Sequence, residues 1–166
     1  MGKPLEIWFQ DEARVGQQGT TTRVWARRGT RPRAVRDTRY EWAYIFGAVC
    51  PQRGVGAGLV LPRANTAAMN LHLAEIADTV APGAGWHRGE DLVVPPNLTL
   101  LKLPPYAPEL NSAENVWEYL RKNKLAQRLY DDYRAIVDAC CQAWNDFVAD
   151  PARVTSVSRR AWAQVS

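Results

Sequence analysis

From Trp42 to Gly47, aromatic residues alternate with small or aliphatic ones: Trp42, Tyr44 and Phe46 take one side, and Ala43, Ile45 and Gly47 the other. A period of two puts successive side chains on opposite faces of an extended chain, so residues 40–49 predict a β-strand with an aromatic face. The turn-rich stretch 51–54 and the apolar run 57–61 supply a hairpin partner for it. Upstream, the apolar run 5–9 ends in Gln10, Asp11 and Glu12, which reads as a buried strand with acids just past its carboxyl end. Residues 16–22 read as a loop, and 23–25 as the start of a strand that Gly29 and Pro32 interrupt.

Helical periods follow. Asn65 or Thr66 caps a helix with Met69, Leu73, Ile76 and Val80 on one side, and Pro82 and Gly83 stop it. Asn111 caps a second helix with Val116, Trp117 and Leu120 on its buried side. Asp131 or Asp132 opens a third, where Tyr133, Ile136, Val137, Cys140, Trp144 and Phe147 form a stripe that ends before Pro151. Between the first two helices, residues 98–103 read as a strand that runs into Pro104 and Pro105. The order predicts an α/β fold in one domain, residues 1–150, with a C-terminal tail at 151–166. Its sheet should lack one central strand: the stretch 81–96 that ought to hold a crossover strand has only the apolar residues 92–94.

The length of 166 residues leaves no room for a second ordinary domain. With 46% hydrophobic and 23% charged residues, disorder and coiled coil are excluded. No apolar run approaches the ~20 residues that span a bilayer, and the first residues show no signal peptide. Three cysteines without CxxC spacing argue against structural zinc and for a reduced, cytoplasmic protein with no membrane contact.

Charge is uneven. The chain carries 21 Lys+Arg against 17 Asp+Glu, a net of +4, and nine bases against four acids fall within the first 40 residues. Arg23, Arg27, Arg28, Arg31, Arg33, Arg36 and Arg39 crowd one short stretch without a lysine. Arginine forks match phosphate oxygens, so this stretch predicts contact with a DNA backbone, the alternative being a solvated hairpin. Lys122, Lys124 and Arg128 extend that track or sit as helix-dipole partners. Of the seven tryptophans most occupy core positions, and Trp86, between Gly85 and His87, is the best candidate for stacking on a base.

Two acids stand out. Asp11 lies where strand ends border a ligand crevice, unless it is merely a solvated strand end. Glu114 falls three residues after Asn111, which suits either the acidic half of a capping box or a carboxylate directed at the sheet edge; Glu109, in the preceding loop, competes for the second role.

The segment LPPYAPELNSAENVW (residues 103–117) resembles the LPPYSPELNPIENVW-type motif of mariner-like DDE transposases, the DDE superfamily endonuclease domain of bacterial insertion sequences. IWFQDE (7–12) is similar to that family's first acidic motif, and residues 23–32, 40–49 and 85–101 also look familial. The resemblance implies an RNase H-like mixed sheet flanked by helices, and acids that hold two Mg²⁺ or Mn²⁺ ions for attack at phosphorus. Carried over by position, Asp11 matches the first catalytic and metal-binding acid and Glu114 the third.

The second acid of the motif is absent. Its strand and aspartate would stand just before Gly83, where this chain has Ala81 and Pro82. Of the nearby acids Glu75, Asp78, Glu90 and Asp91, none follows a strand. The resemblance therefore implies a transposase catalytic domain for metal-dependent DNA cleavage and strand transfer, impaired in this copy. Its expected partners are DNA and either a second copy or a full-length transposase, which would recognise the transposon ends. Two other readings are an inactive remnant that binds DNA or a full-length transposase, and an RNase H-like nuclease on other nucleic acids.

Overall fold

The computed structural model describes residues 5–18, 25–31, 33, 37, 39–81, 91–104, 107–126 and 128–163. Within these, three strands form one antiparallel sheet: β1 (Phe9–Gly16), β2 (Trp42–Cys50) and β3 (Val55–Leu61), in that spatial order. β2 is central, paired from Phe9↔Val49 to Gly16↔Trp42 on one side and from Tyr44↔Leu61 to Cys50↔Val55 on the other. Four helices complete the fold: α1 (Thr66–Val80), α2 (Ala113–Leu120), α3 (Tyr133–Val148) and α4 (Pro151–Ser158). Among the described residues no helix is long and apolar enough to cross a membrane.

Side-chain caps start three of these helices. Asn65, Asp132 and Asp150 accept from the amides of Ala68, Ala135 and Arg153 at 2.9, 2.8 and 3.2 Å, satisfying donors that a helix start leaves open. The alternation along β2 then divides the interior in two. Ala43, Ile45 and Val49 join Trp117, Trp144, Ile136, Phe147 and Val154 in the larger core beneath α2, α3 and α4. Ala48 packs on the other face with Ala57, Leu73 and Ile76, under α1.

Glycine makes the larger core possible. A Cβ on Gly47 would stand 2.6 Å from both Trp117 Cη2 and Trp144 Cζ3, and one on Gly56 would stand 2.9 Å from Val148 Cγ1 and 3.2 Å from Trp144 Cζ2. The two indoles, 6.1 Å apart, thus lie directly on sheet backbone. At the β2–β3 turn Gly54 takes φ 65°, where the carbonyl of Pro151 leaves no space for a side chain.

His72 is fully buried on the α1 side, its ring centroid 5.7 Å from that of Phe46. Burial pushes its pKa down to about 4; the nearby Gly47 backbone opposes this weakly without closing a hydrogen bond.

Four expectations change. The first strand covers Phe9–Gly16 rather than residues 5–9, because pairing with β2 sets its span and local apolarity does not. The sheet is antiparallel throughout the described residues instead of mixed. Residues 98–103 form no strand: they pair with no strand among the described residues, and Leu101 is 89% exposed.

Residues 151–158, expected within a tail, form α4, which buries Val154 in the larger core. Thr155 Oγ1 donates to the Pro51 carbonyl at 2.8 Å and Asn115 Nδ2 to the Val157 carbonyl at 3.1 Å, fastening α4 to the hairpin and to α2.

Candidate active site

Asp11 sits inside β1, opposite Gly47, and not beyond the strand's end. It shares a face with Phe9 and Ala13, so its carboxylate lies on the side covered by α2 and α3. Glu12, its neighbour, points to the opposite face and is exposed. Partial burial and the adjacent Asp11 charge raise the Glu12 pKa above the usual carboxylate range.

Two hydrogen bonds fasten the start of α2 across this part of β1. Asn111 Nδ2 donates to the carbonyl of Gln10 at 3.0 Å. Trp117 Nε1 donates to Asp11 Oδ2 at 3.1 Å. Asn111 is therefore a clamp as well as a cap: its Oδ1 accepts from the Ala113 amide at 3.1 Å, while the N-cap position belongs to Ser112, whose buried hydroxyl has no partner among the described residues. Reading Trp117 as a core residue missed its second role; only the pairing of β1 with α2 reveals it.

Glu114 lies in the first turn of α2, between these two anchors and one turn before Trp117. Residues three apart on a helix are neighbours on its surface, which sets Glu114 one turn from the residue that holds Asp11. Glu114 is exposed. Its amide donates to the Asn111 carbonyl at 3.3 Å. Glu109 falls in the 3-10 turn Pro108–Leu110 and is also exposed.

The donor set is sparse for two dications. Among the described residues, no group of three or more His, Cys, Asp or Glu side chains is placed to hold a metal ion. Asp11 already accepts from Trp117 with one oxygen. Pro82, Gly83, Trp86, His87 and Glu90 lie outside the described residues, as do Arg23 and Arg36. The described residues do not by themselves fit a two-metal centre.

The basic residues separate into two groups. Arg27, Arg28, Arg31 and Arg33 are exposed. The stretch that carries them turns at Arg27–Thr30, where Gly29 has φ 85° and the Thr30 amide donates to the Arg27 carbonyl at 3.0 Å. Arg39 is engaged internally: it pairs with Asp37 at 2.7 Å and donates to the carbonyls of Tyr130 and Asp131, both at 2.7 Å. Lys122 pairs with Glu118 one turn back on the same helical stretch, and Lys124 with Asp146 of α3 at 3.1 Å. Both lysines face acids; the four-residue spacing of Glu118 and Lys122 is a local helix pattern, whereas the partner of Lys124 lies on α3, 22 residues away.

Comparison with known proteins agrees with the motifs. The family described as DDE superfamily endonuclease matches residues 6–137. The uncharacterized protein y4pE/y4sA of Sinorhizobium fredii (strain NBRC 101917 / NGR234) is 52% identical over 134 residues, covering 75% of this chain and 99% of that protein.

Proposed function

This chain belongs to the DDE superfamily endonucleases, and from that premise we propose that it is the catalytic domain of an insertion-sequence transposase, a DNA-handling protein whose strand-cleaving chemistry is impaired in this copy. The observation that carries the reading is the junction of β1 and α2. It fastens Asp11 to Trp117 and sets Glu114 one turn away, within the two segments that resemble the family's acidic motifs. An RNase H-like origin accounts for a β1–β2–β3 meander followed by helices on both faces.

Asp11 and Glu114 are the acids that would hold Mg²⁺ or Mn²⁺ in such a domain, and the metals would supply water activation and charge stabilisation at phosphorus. Two carboxylates leave that set incomplete, with Pro82 standing where the motif has its aspartate. The exposed arginines 27, 28, 31 and 33 would meet DNA phosphates without reading bases, so binding outlasts cleavage in this reading.

Nicking of supercoiled DNA in Mn²⁺, with Asp11→Ala as control, tests it. A folded sample that binds DNA but nicks no faster than Asp11→Ala supports impairment. Nicking that disappears in Asp11→Ala would overturn impairment and uphold the cleaving reading. A folded chain with no affinity for DNA would overturn both. Cleavage of generic RNA–DNA hybrids, without DNA nicking, would point instead to an RNase H-like nuclease.

A further inference from the structure

We infer that the outer edge of β1 is a docking surface for a second copy of this chain, the two β1 strands pairing antiparallel into one continuous six-stranded sheet. This surface rests on the sheet edge and its charges alone and is independent of the catalytic reading.

Among the described residues, strand order places β1 at the border of the sheet. The Gln17 amide donates to the Glu41 carbonyl at 3.0 Å, which continues the β1–β2 register and directs the backbone groups of odd-numbered β1 residues toward β2. Those of Gln10, Glu12, Arg14 and Gly16 then point outward. Asn111, just ahead of α2, takes the Gln10 carbonyl and so covers one end of the edge. Among the described residues, no backbone group pairs with the outward groups of Glu12, Arg14 or Gly16. An edge of this kind templates pairing with another strand unless something covers it.

Side chains select the occupant and its register. Glu12 and Arg14 lie on the same face of β1, and both are exposed. In an antiparallel β1–β1 pair centred on Ala13, Glu12 of one copy stands opposite Arg14 of the other, twice by symmetry. Sliding the pair by one step in either direction sets Glu12 against Glu12, or Arg14 against Arg14. Charge therefore favours a single register, and in it the outward groups of Glu12 and Arg14 bond to each other as an antiparallel ladder requires. Glu12 gains a cation beside a carboxylate that its own chain leaves partly desolvated and next to Asp11. Arg14 contributes its guanidinium from a stacked position 5.2 Å above the Trp42 ring.

Sedimentation equilibrium across a concentration series tests this on the full chain. The wild type should dimerise. Glu12→Arg and Arg14→Glu should each weaken the dimer about tenfold or more, since each replaces two attractions with two repulsions. The double variant Glu12→Arg/Arg14→Glu restores opposite charges across the pair and should recover wild-type affinity. Circular dichroism of each variant checks that the fold is kept. A wild type that stays monomeric would overturn the proposal. So would a dimer that ignores the single charge reversals, or a double variant no better than the singles.

Discussion

The indole N–H of Trp117 meets Asp11 Oδ2 at 3.1 Å across 106 residues of sequence. The bond joins an acid of β1 to a core residue of α2, so the carboxylate takes its orientation from the packing of Trp117 against Trp144 and Gly47. Trp117→Phe keeps most of the ring and removes the donor. In a double-mutant cycle with Asp11→Ala, urea unfolding should show a coupling of about 0.5–1.5 kcal/mol between the two positions. Strict additivity would mean that the bond contributes nothing in solution.

Gly47→Ala should destabilise the protein by about 1–3 kcal/mol, because the new methyl would enter both tryptophan rings at once. Thermal unfolding measures the loss. An unchanged midpoint would show that the rings can retreat. Gly29→Ala, where no atom lies within 4 Å, isolates the backbone penalty of a positive φ from the effect of crowding.

The buried His72 makes stability depend on pH. Its folded pKa is about 4, below the unfolded value, so the unfolded chain binds the proton more readily between those limits. The contribution of this residue is fully present above the unfolded pKa of about 6.5 and fades as pH falls toward 4, by about 3 kcal/mol in all. Denaturant titrations at neutral and mildly acid pH should show that His72→Leu loses less stability on acidification than the wild type. Parallel slopes for the two proteins would place the acid sensitivity elsewhere.

Neutralising Arg27, Arg28, Arg31 and Arg33 together should lower the slope of log affinity for duplex DNA against log salt by about 3–4, roughly one unit for each phosphate no longer neutralised. Arg39→Ala should leave that slope unchanged, since its guanidinium is held by Asp37 and by two carbonyls ahead of α3. Equal effects from both variants would show that the slope reads net charge and not a local track.

Local pattern carried much of the fold. The alternation around Phe46, the cap at Asn65 and the stripe from Ile136 to Phe147 each lie within a dozen or so residues, and each element stands where its own residues suggest. Elements whose limits depend on partners were less legible. β1 begins at Phe9 because Val49 lies opposite, and residues 98–103, although largely apolar, join no sheet among the described residues. At the site, Asp11 and Glu114 drew attention through their motifs. The clamp by Asn111, the bond from Trp117 and the pairing of Lys124 with Asp146 all join distant parts of the chain, and no window of sequence contains them.

The glycines under the two indoles carry a consequence for how this chain can diverge. Gly47 and Gly56 are small only because Trp144 is large, and Trp144 reaches the backbone only because they are small. Neither side can drift alone without opening a hole or forcing a collision, so in descendants of this sequence the ring and its glycines should be exchanged together or retained together. Paired substitutions at these positions would mark lineages that still maintain a folded protein, and independent changes would mark genes released from that requirement.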